Sequence, residues 1–287
     1  MKPGSVSAII AVYNGADQIR RAIDSVLAQT HLVDELLVID DGSTDETPEV
    51  VAAYGDRVRY VRQRNGGVAA ARNNGIRTAT SEWVALLDHD DEWLPRKIEL
   101  QLEMLRANPN AALCYSAFWS HWLGGESRVI YRPVDQLWPA SRMMNPFPPS
   151  VVMFRRKELL ELGGFDEKLK GASCEDWDLA VRFLQKHQAV CVSEPLTNYY
   201  EVPTSNSRNY RVMLPNTLSI VDKSLLLGLK GLSKAVWRRR IKSVLYYRAA
   251  ISARDLGDPA VSLLLSSLMQ WPLPDQRWKT MIAELIR

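Results

Sequence analysis

The sequence predicts an α/β fold in which a mostly parallel sheet is flanked by helices and followed by a C-terminal helical region. Two observations predict the sheet: short apolar runs alternate with helix-periodic segments over about residues 1–110, and three of these runs end in polar clusters. A third observation predicts the helical region, because only helical patterns occur from Met213 onward. We therefore expect one domain at residues 1–204 and a helical region at residues 205–287.

The composition restricts the class of protein. The chain has 287 residues, of which 46% are hydrophobic and 24% are charged, and these values are typical of globular proteins and exclude disordered and fibrous classes. The three cysteines lack metal-ligand spacing and predict reduced thiols. No signal segment precedes the first strand and no run of 18 apolar residues occurs, so we expect a cytoplasmic protein.

The charge is distributed unevenly along the chain. The net charge is +3, but residues 204–287 contain 14 Lys and Arg against 5 Asp and Glu. A basic helical region is either a solvated face or a surface that meets phosphates or an anionic membrane. Both alternatives stay open at this point, and the second would place the protein at the inner face of a membrane.

The first elements follow in the order strand, helix, strand. Val6 to Val12 is a run of β-branched and small residues, typical of a buried strand, and it ends at the turn residues Tyr13-Asn14-Gly15. The next segment has apolar residues at helical spacing, namely Ile19, Ala22, Ile23, Val26 and Leu27. Glu35 to Ile39 predicts a second strand, which ends in Asp40-Asp41-Gly42.

The same alternation continues to an acidic turn. Val58 to Val61 predicts a strand, Gly67 to Ala79 a helix, and Trp83 to Leu87 a strand that runs into Asp88-His89-Asp90-Asp91. In open sheets of this class ligands bind at the carboxyl ends of the strands. We therefore expect the clusters at Tyr13, at Asp40 and Asp41, and at Asp88 to Asp91 to share one site.

The later elements are less regular. We predict a helix at Pro95 to Asn108, a strand at Ala112 to Trp119, a loop at Leu123 to Pro149, a strand at Ser150 to Phe154, a short helix at Glu158 to Leu162, a turn at Gly163-Gly164, and a helix at Glu175 to Lys186. Beyond Met213, Gly257-Asp258-Pro259 predicts a turn between two helices.

The acidic turn is a candidate metal site. Three carboxylates within four residues repel one another unless they are solvated or bind a cation. Carboxylate oxygens suit Mg²⁺ or Mn²⁺, which take further ligands from substrate phosphates. The alternative is an exposed acidic turn that caps the following helix. In either case we expect His89 to be a bystander.

Other polar residues are further candidates for this site, and for Tyr13 and Asp176 a structural role is the alternative. Asp40 and Asp41 are able to accept hydrogen bonds from a base or a ribose, and Tyr13 either stacks on a base or covers the sheet edge. Arg72 is a fixed cation that would reach a base or a phosphate. Asp176 lies in a first helical turn, where acids are favoured by the helix dipole, so it is either a structural acid or a general base.

Six segments together resemble family 2 glycosyltransferases, which have the GT-A fold. They are Val6 to Asn14, Val38 to Thr47, Asn65 to Asn73, Leu87 to Asp91, Gly163 to Asp166, and Glu175 to Leu179. Each segment is weak alone, but their order over roughly Ser5 to Val202 makes the resemblance specific. It implies a catalytic domain at 1–204, with nucleotide-sugar binding at about 1–110 and an acceptor side at about 111–204.

The resemblance also implies roles for individual residues. The base pocket of the donor would be lined by Ala11, Tyr13, Asp41 and Arg72, with Asp40 close by. Asp88 would contact the ribose, and Asp90, together with Asp88, would hold a divalent cation, Mn²⁺ or Mg²⁺, on the donor diphosphate. Asp176 would be the general base, supported by Glu175. The turn Gly163-Gly164-Phe165 would face the acceptor and the donor sugar.

The resemblance further implies inverting transfer from a nucleotide-sugar, most often a UDP-sugar, to a hydroxyl of a saccharide or lipid-linked acceptor, as in bacterial surface polysaccharide or glycolipid synthesis.

The chain departs from the family in two places. Ala11 stands where proline is common, and Tyr199-Tyr200-Glu201-Val202 replaces the frequent Tyr-Arg-x-His, so no histidine contact is expected there.

Two other functions compete with this one. A degenerate transferase domain would act as a binding or membrane-docking module, but the three acids Asp88, Asp90 and Asp176 are all present. Nucleotidyl transfer and dinucleotide oxidoreduction require a glycine-rich phosphate loop after the first strand, which Tyr13-Asn14-Gly15-Ala16 does not provide. We expect no nucleic-acid partner.

Overall fold

The computed structural model describes residues 2–122, 125–169, 174–201 and 209–272. The strands are β1 (Val6–Val12), β2 (Glu35–Asp40), β3 (Arg59–Arg62), β4 (Trp83–Asp88), β5 (Glu92–Trp93), β6 (Ala111–His121), β7 (Ser127–Ile130), β8 (Val152–Arg155) and β9 (Gln188–Tyr200). The helices are α1 (Ile19–Leu27), α2 (Thr47–Ala52), α3 (Val68–Thr78), α4 (Lys97–Ala107), α5 (Val134–Ala140), α6 (Arg156–Glu161), α7 (Glu175–Leu184), α8 (Tyr210–Ile220), α9 (Gly231–Asp255) and α10 (Val261–Gln270). Val202, the predicted boundary at residue 204 and residues 273–287 lie outside the described residues.

Within the described residues, the strands form one sheet in the order β3-β2-β1-β4-β8-β6-β9-β5, with β7 paired to β6. The four strands β3, β2, β1 and β4 run parallel, as the alternating pattern predicts. Strand β8 then runs antiparallel to both β4 and β6, whereas β6 and β9 are parallel. The predicted α/β fold with flanking helices is confirmed, and the sheet is mixed in the half that follows β4.

The sequence pattern does not predict β5, β7, β9 or α5. Strand β9 is the longest of them, and its pairing with β6 shifts register between Ser116 and Ala117 and again between Ala117 and Trp119. Because of these irregularities no clean alternation of apolar and polar residues marks β9 in the sequence. Strand β7 and helix α5 occupy part of the predicted loop at Leu123–Pro149, of which Leu123 and Gly124 lie outside the described residues.

Two apolar clusters cover the two faces of the sheet. Every residue of β1 is buried, which is typical of a parallel strand with helices on both sides. Val6, Ala8 and Ile10 belong to the cluster that includes residues of α1, α2 and α4. Ile9 and Ala11 belong to the cluster that includes residues of α3, α6 and α7. This alternation decides which side of the sheet each strand-end residue faces.

The strand register determines which side of the sheet the acidic residues at the strand ends face. Ala11 pairs with Asp88 of β4, while Val12 pairs with Asp40 of β2. Because neighbours in register point to the same side of a sheet, Asp88 faces α3 and Asp40 faces the opposite side. The strand ends therefore present their acids to two different environments.

The described residues divide into two units. Those within 2–138, 145–169 and 175–201 form the sheet unit, and those within 139–144, 174 and 209–272 form the second. In the second unit α9 and α10 are joined by hydrogen bonds between Ser243 and Ser267, and the predicted turn between them is confirmed, with Gly257 at φ +77°. In the described part of the chain, no helix combines the length and apolar character needed to span a bilayer.

Candidate active site

Arg72 of α3 connects two acidic segments that are far apart in the sequence. Its guanidinium donates to Glu175 Oε1 at 2.8 Å and to Asp88 Oδ1 at 2.5 Å, and the residue is 5% exposed. Burial alone would lower the pKa of Arg72, but the charges of Asp88 and Glu175 more than offset this and raise it. A buried, permanently charged arginine thus ties the end of β4 to the start of α7.

The predicted acceptor-side turn supports Arg72. The backbone N–H of Phe165 donates to Asn73 Oδ1 at 2.9 Å, and Asn73 Nδ2 donates to the carbonyl of Phe165 at 2.9 Å. Gly164 has φ +64°, and a Cβ at this position would overlap Asn73 Oδ1, so only glycine fits there. The Phe165 ring is 3% exposed and its centroid lies 5.3 Å from Cζ of Arg72. Contact of Gly163, Gly164 and Phe165 with an acceptor stays a prediction.

Asp91, the last acid of the turn after β4, is buried and hydrogen-bonded within the protein. Asp91 is fully buried, and it accepts hydrogen bonds from Ser150 Oγ and, at 3.0 Å, from the backbone N–H of Tyr200. Burial and the charges of Asp90 and Asp88 raise the pKa of Asp91 well above its ordinary range. Through these contacts Asp91 links the turn to Ser150, which precedes β8, and to Tyr200 of β9.

His89 is also explained by packing. A Cβ on Gly15 would overlap the imidazole ring of His89, so the ring lies directly against the turn that follows β1. This placement agrees with the expectation that His89 is a bystander, and it explains why the turn after Tyr13 carries a glycine.

Asp88 and Asp90 remain as candidate metal ligands. Burial, followed by the charge of Asp88, raises the pKa of Asp90, so the two carboxylates form an acid pair whose negative charge a cation would relieve. Among the described residues no three His, Cys, Asp or Glu side chains come together as a complete metal site. Two carboxylates with further positions left for diphosphate oxygens fit Mg²⁺ or Mn²⁺, which are commonly bound in this way.

The carboxylate of Asp41 is hydrogen-bonded to the loop that precedes α3. It is 2% exposed and accepts from Gln63 Nε2 at 2.7 Å, from Gly66 N at 2.8 Å and from Gly67 N at 2.7 Å. These three donors fix the loop that leads into α3, and therefore fix the position of Arg72 one turn further on. Direct contact of Asp41 with a base stays a prediction.

The remaining predicted base-pocket residues differ in exposure. Asp40 is fully buried and accepts from Ser43 N at 2.7 Å and from the hydroxyl of Tyr60, while Ala11 is 6% exposed and packs in the α3-side cluster. Tyr13, in contrast, is 48% exposed at the carboxyl end of β1. Of these residues, the Tyr13 ring has the accessible face that base stacking requires.

Asp176 begins α7 beside Glu175. Its Oδ1 accepts from Trp177 N at 2.7 Å and its Oδ2 accepts from Asn145 Nδ2 at 2.7 Å. Burial, followed by the charge of Glu175, raises the pKa of Asp176 to about 7, against the opposing effects of Arg72 and these two hydrogen bonds. Part of the residue is exposed to solvent, while the carboxyl borders an apolar pocket lined by Leu86, Phe147, Pro149, Val152, Phe154, Phe165 and Leu179. A carboxyl with a pKa near neutrality suits a general base.

Strand β9 brings two tyrosines to the acidic turn, and the sequence patterns assign no role to either. Burial, followed by the charges of Asp91, Asp88 and Asp90, raises the pKa of Tyr199, so its phenol lies near the acid pair. Tyr200 receives the guanidinium of Arg21 over its ring at 4.0 Å and donates to Glu92 Oε2 at 3.1 Å. The sequence signal that points to these two residues is the family motif Tyr-Arg-x-His, because Tyr199 and Tyr200 stand at its first two positions.

One histidine lies beside Tyr200, two positions before the residue at which the family motif has a histidine. His121 of β6 stacks on the Tyr200 ring with centroids 4.8 Å apart. Its Nδ1 lies 2.8 Å from Ser127 Oγ and its Nε2 lies 3.1 Å from Asn198 Oδ1. Both ring nitrogens are therefore engaged within the sheet, and His121 does not offer a free nitrogen in place of the missing one.

Comparison with known sequences identifies relatives over most of the chain. Residues 7–158 match the family model described as glycosyl transferase family 2. An uncharacterized glycosyltransferase of Rickettsia typhi is 32% identical over 242 residues, covering 79% of this chain and 75% of that protein. The succinoglycan biosynthesis protein ExoO of Rhizobium meliloti is 45% identical over 104 residues, covering 36% of this chain and 30% of that protein. The chain spans 31%, 30% and 26% of three longer Rickettsia relatives.

Solved structures with the same fold include two complexes with nucleotide-sugars. Staphylococcus aureus TarS 1–349 in complex with UDP-GlcNAc has a TM-score of 0.67 at 16% identity, covering 93% of this chain and 81% of that one. The mannosyltransferase PcManGT of Pyrobaculum calidifontis, in complex with GDP-Man and Mn²⁺, has a TM-score of 0.60 at 23% identity, covering 98% of this chain and 84% of that one. At these identities the likeness establishes the fold, and it confirms the predicted GT-A architecture.

Proposed function

The chain belongs to glycosyl transferase family 2, and from that premise we propose that it moves a sugar from a nucleotide-diphosphate donor to a hydroxyl acceptor with inversion at the anomeric carbon. The observation that carries the proposal is the position of Arg72. By pairing with both Asp88 and Glu175, it brings the acid pair for a donor diphosphate next to the candidate base Asp176.

The proposed reaction is one direct displacement. Asp176 accepts the proton of the acceptor hydroxyl, whose oxygen forms a bond to the anomeric carbon while the bond from that carbon to the diphosphate oxygen breaks. Asp90 and Asp88 would hold Mn²⁺ or Mg²⁺, which supplies positive charge to the leaving diphosphate. Glu175 holds Arg72 and adds negative charge beside Asp176, which keeps the pKa of the base near neutrality.

We propose a UDP-sugar as the donor, with GDP- and dTDP-sugars as alternatives. In this proposal the exposed ring of Tyr13 stacks on the base, and Ala11, Asp40, Asp41 and Arg72 shape the pocket around it. The TarS complex with UDP-GlcNAc and the PcManGT complex with GDP-Man support a nucleotide-sugar donor for this fold.

We propose a saccharide or lipid-linked acceptor in bacterial surface polysaccharide or glycolipid synthesis. The naming of ExoO as a succinoglycan biosynthesis protein supports a polysaccharide product. In the sheet unit the acceptor would reach Asp176 at the part of that residue that is exposed to solvent.

The first prediction tests donor and metal together. With a panel of UDP-, GDP- and dTDP-sugars and Mn²⁺ or Mg²⁺, one donor is expected to bind in calorimetry and to release nucleoside diphosphate slowly, with water as the acceptor of the sugar. Asp90→Asn removes one metal-binding carboxylate, and the metal-dependent part of donor affinity is expected to fall by about tenfold or more. Asp56→Asn, at an exposed aspartate, is the matched control.

The outcome separates the competing functions. A transferase releases nucleoside diphosphate from a nucleotide-sugar, a nucleotidyltransferase releases pyrophosphate when it is given a nucleoside triphosphate and a sugar 1-phosphate, and a binding module releases neither. If no nucleotide-sugar is bound or consumed with either metal, the proposed function is wrong. If Asp90→Asn keeps full metal dependence, the assignment of Asp90 as a ligand is wrong.

We also propose that the basic second unit makes a peripheral contact with an anionic membrane. Helix α9 carries the exposed residues Arg239 and Arg240, and Leu232, two turns nearer its N-terminus, is 82% exposed. Basic side chains near an anionic surface contribute about 1 kcal/mol each, and exposed apolar side chains add to such binding.

The second prediction concerns this contact. The protein is expected to sediment with phosphatidylserine vesicles and to be released at about 0.5 M salt, because screening weakens the attraction. The double variant Arg239→Gln/Arg240→Gln is expected to bind about thirtyfold more weakly. The matched control is Arg57→Gln/Arg59→Gln on the sheet unit. Absence of binding at low salt, or equal loss in the control pair, would contradict the membrane contact.

A further inference from the structure

The side chain of Asn145 reaches the candidate base from a loop. Asn145 follows α5 by several residues and lies 31 positions before Asp176, yet its Nδ2 donates to Asp176 Oδ2 at 2.7 Å. An ionised carboxylate accepts hydrogen bonds and donates none, so the amide nitrogen is the atom that must face it. Among the described residues, Asn145 Oδ1 is buried without a hydrogen-bond partner, so the amide is held by its nitrogen alone.

The backbone of Asn145 is anchored to the sheet. Arg132 NH1 donates to the carbonyl of Asn145 at 2.7 Å, and the hydroxyl of Tyr115 donates to the carbonyl of Arg132 at 2.5 Å. Tyr115 belongs to β6, is 2% exposed, and packs against Phe147 with ring centroids 5.2 Å apart. The loop that carries Asn145 is therefore fixed to a buried strand residue, and its amide has a defined position relative to α7.

We propose that Asn145 is a positioning residue that holds the Asp176 carboxylate in one orientation and keeps it ionised for proton transfer from the acceptor. This inference rests on the proposed function, because it assumes that Asp176 is the base. Trp177 N holds Oδ1 from within α7, while Asn145 holds Oδ2 from outside the helix. The two donors together define the direction of the carboxylate plane.

Charged and titratable groups face Asp176 from each neighbouring element. Glu175 on the same helix raises the pKa of Asp176, and Arg72 from α3 lowers it. Tyr199 from β9 is a phenol whose own pKa is raised, so it stays neutral at working pH. Asn145 carries no charge, so its effect is one directed hydrogen bond, and salt is expected to change it little.

The third prediction tests Asn145→Ala. Turnover is measured as the release of nucleoside diphosphate from the donor that binds in the first experiment, with water as the acceptor. Loss of the amide donor is expected to move the acid limb of this kcat–pH profile up by about one pH unit, because the ionised carboxylate loses a charge-assisted hydrogen bond. At about pH 6.5 kcat should fall by about tenfold, while near pH 9 it should approach the unchanged enzyme. Donor affinity by calorimetry should stay unchanged. Asn108→Ala, at an asparagine that bonds within its own helix end, is the matched control.

A second variant keeps the test decisive if Asn145→Ala does not fold. Asn145→Asp has nearly the same shape but places a second carboxylate beside Asp176, so the acid limb should move to still higher pH. Equal loss of kcat at all pH values, or an unmoved acid limb in both variants, would overturn the role of Asn145. Retention of full turnover by Asp176→Asn would instead overturn the assignment of Asp176 as the base. Failure of the unchanged protein to bind or consume any nucleotide-sugar would overturn the proposed function, so the failures are distinguishable.

Discussion

Asp176→Asn is expected to lower kcat by about 10²–10⁴-fold, the usual contribution of a positioned general base. The amide has nearly the same shape as the carboxyl, so donor affinity measured by calorimetry should change little. The pKa of Asp176 is raised to about 7 by burial and by Glu175, so the unchanged enzyme should gain rate as pH rises through about 7. The residual rate of the variant should not show this rise with pH. Asp135→Asn, at an exposed aspartate, is the control.

Stability measurements distinguish loss of the base from unfolding. Because the folded-state pKa of Asp176 lies above its ordinary value, the ionised carboxylate opposes folding, and this opposition grows as pH rises from about 4 to 7. The free energy of unfolding of Asp176→Asn at pH 8 should therefore not fall below that of the unchanged protein. Collapse of donor affinity together with turnover would show that Asp176 is a binding residue and not the base.

Arg72→Met is expected to lower the free energy of unfolding by about 3–5 kcal/mol, because it leaves the two carboxylates Asp88 and Glu175 without the buried cation between them. Turnover should fall by about 10² or more, since the acid pair and the base lose their common anchor. Arg72→Lys should recover only part of the stability, because one ammonium lacks the planar fork that serves two partners. Urea unfolding and kcat measure the two effects.

Two controls belong to this prediction. Arg77→Met removes an arginine on the same helix whose side chain is 59% exposed and lies 3.5 Å from Glu167, so it should cost at most about 1 kcal/mol. Arg72→Met/Asp88→Asn should be less destabilised than Arg72→Met alone, because one of the stranded charges is gone. Equal stability of the double and single variants would contradict the bridging role.

Part of the candidate site is predictable because it depends on local pattern. The parallel strands end where apolar runs meet polar clusters, and this pattern alone places Tyr13, Asp41 and Asp88 at the carboxyl ends of β1, β2 and β4. The family motifs likewise select Asp176, whose environment shifts its pKa toward neutrality. The side of the sheet that each acid faces is not predictable from the sequence, because it depends on strand register. Asp40 and Asp88 pair with neighbouring positions of β1 but point to opposite sides of the sheet.

The sequence by itself determined the parallel half of the sheet, the acidic turn and the family, since each follows from short-range periodicity or ordered motifs. Only the tertiary structure decided which groups meet. Arg72 pairs with Glu175 across 103 residues and Asn145 donates to Asp176 across 31 residues. The physical reason is that such contacts arise from strand order, from the irregular pairing of β9 with β6 and from loop anchoring. A local sequence pattern contains none of this information, because it specifies the face of an element and not the partner that packs against it.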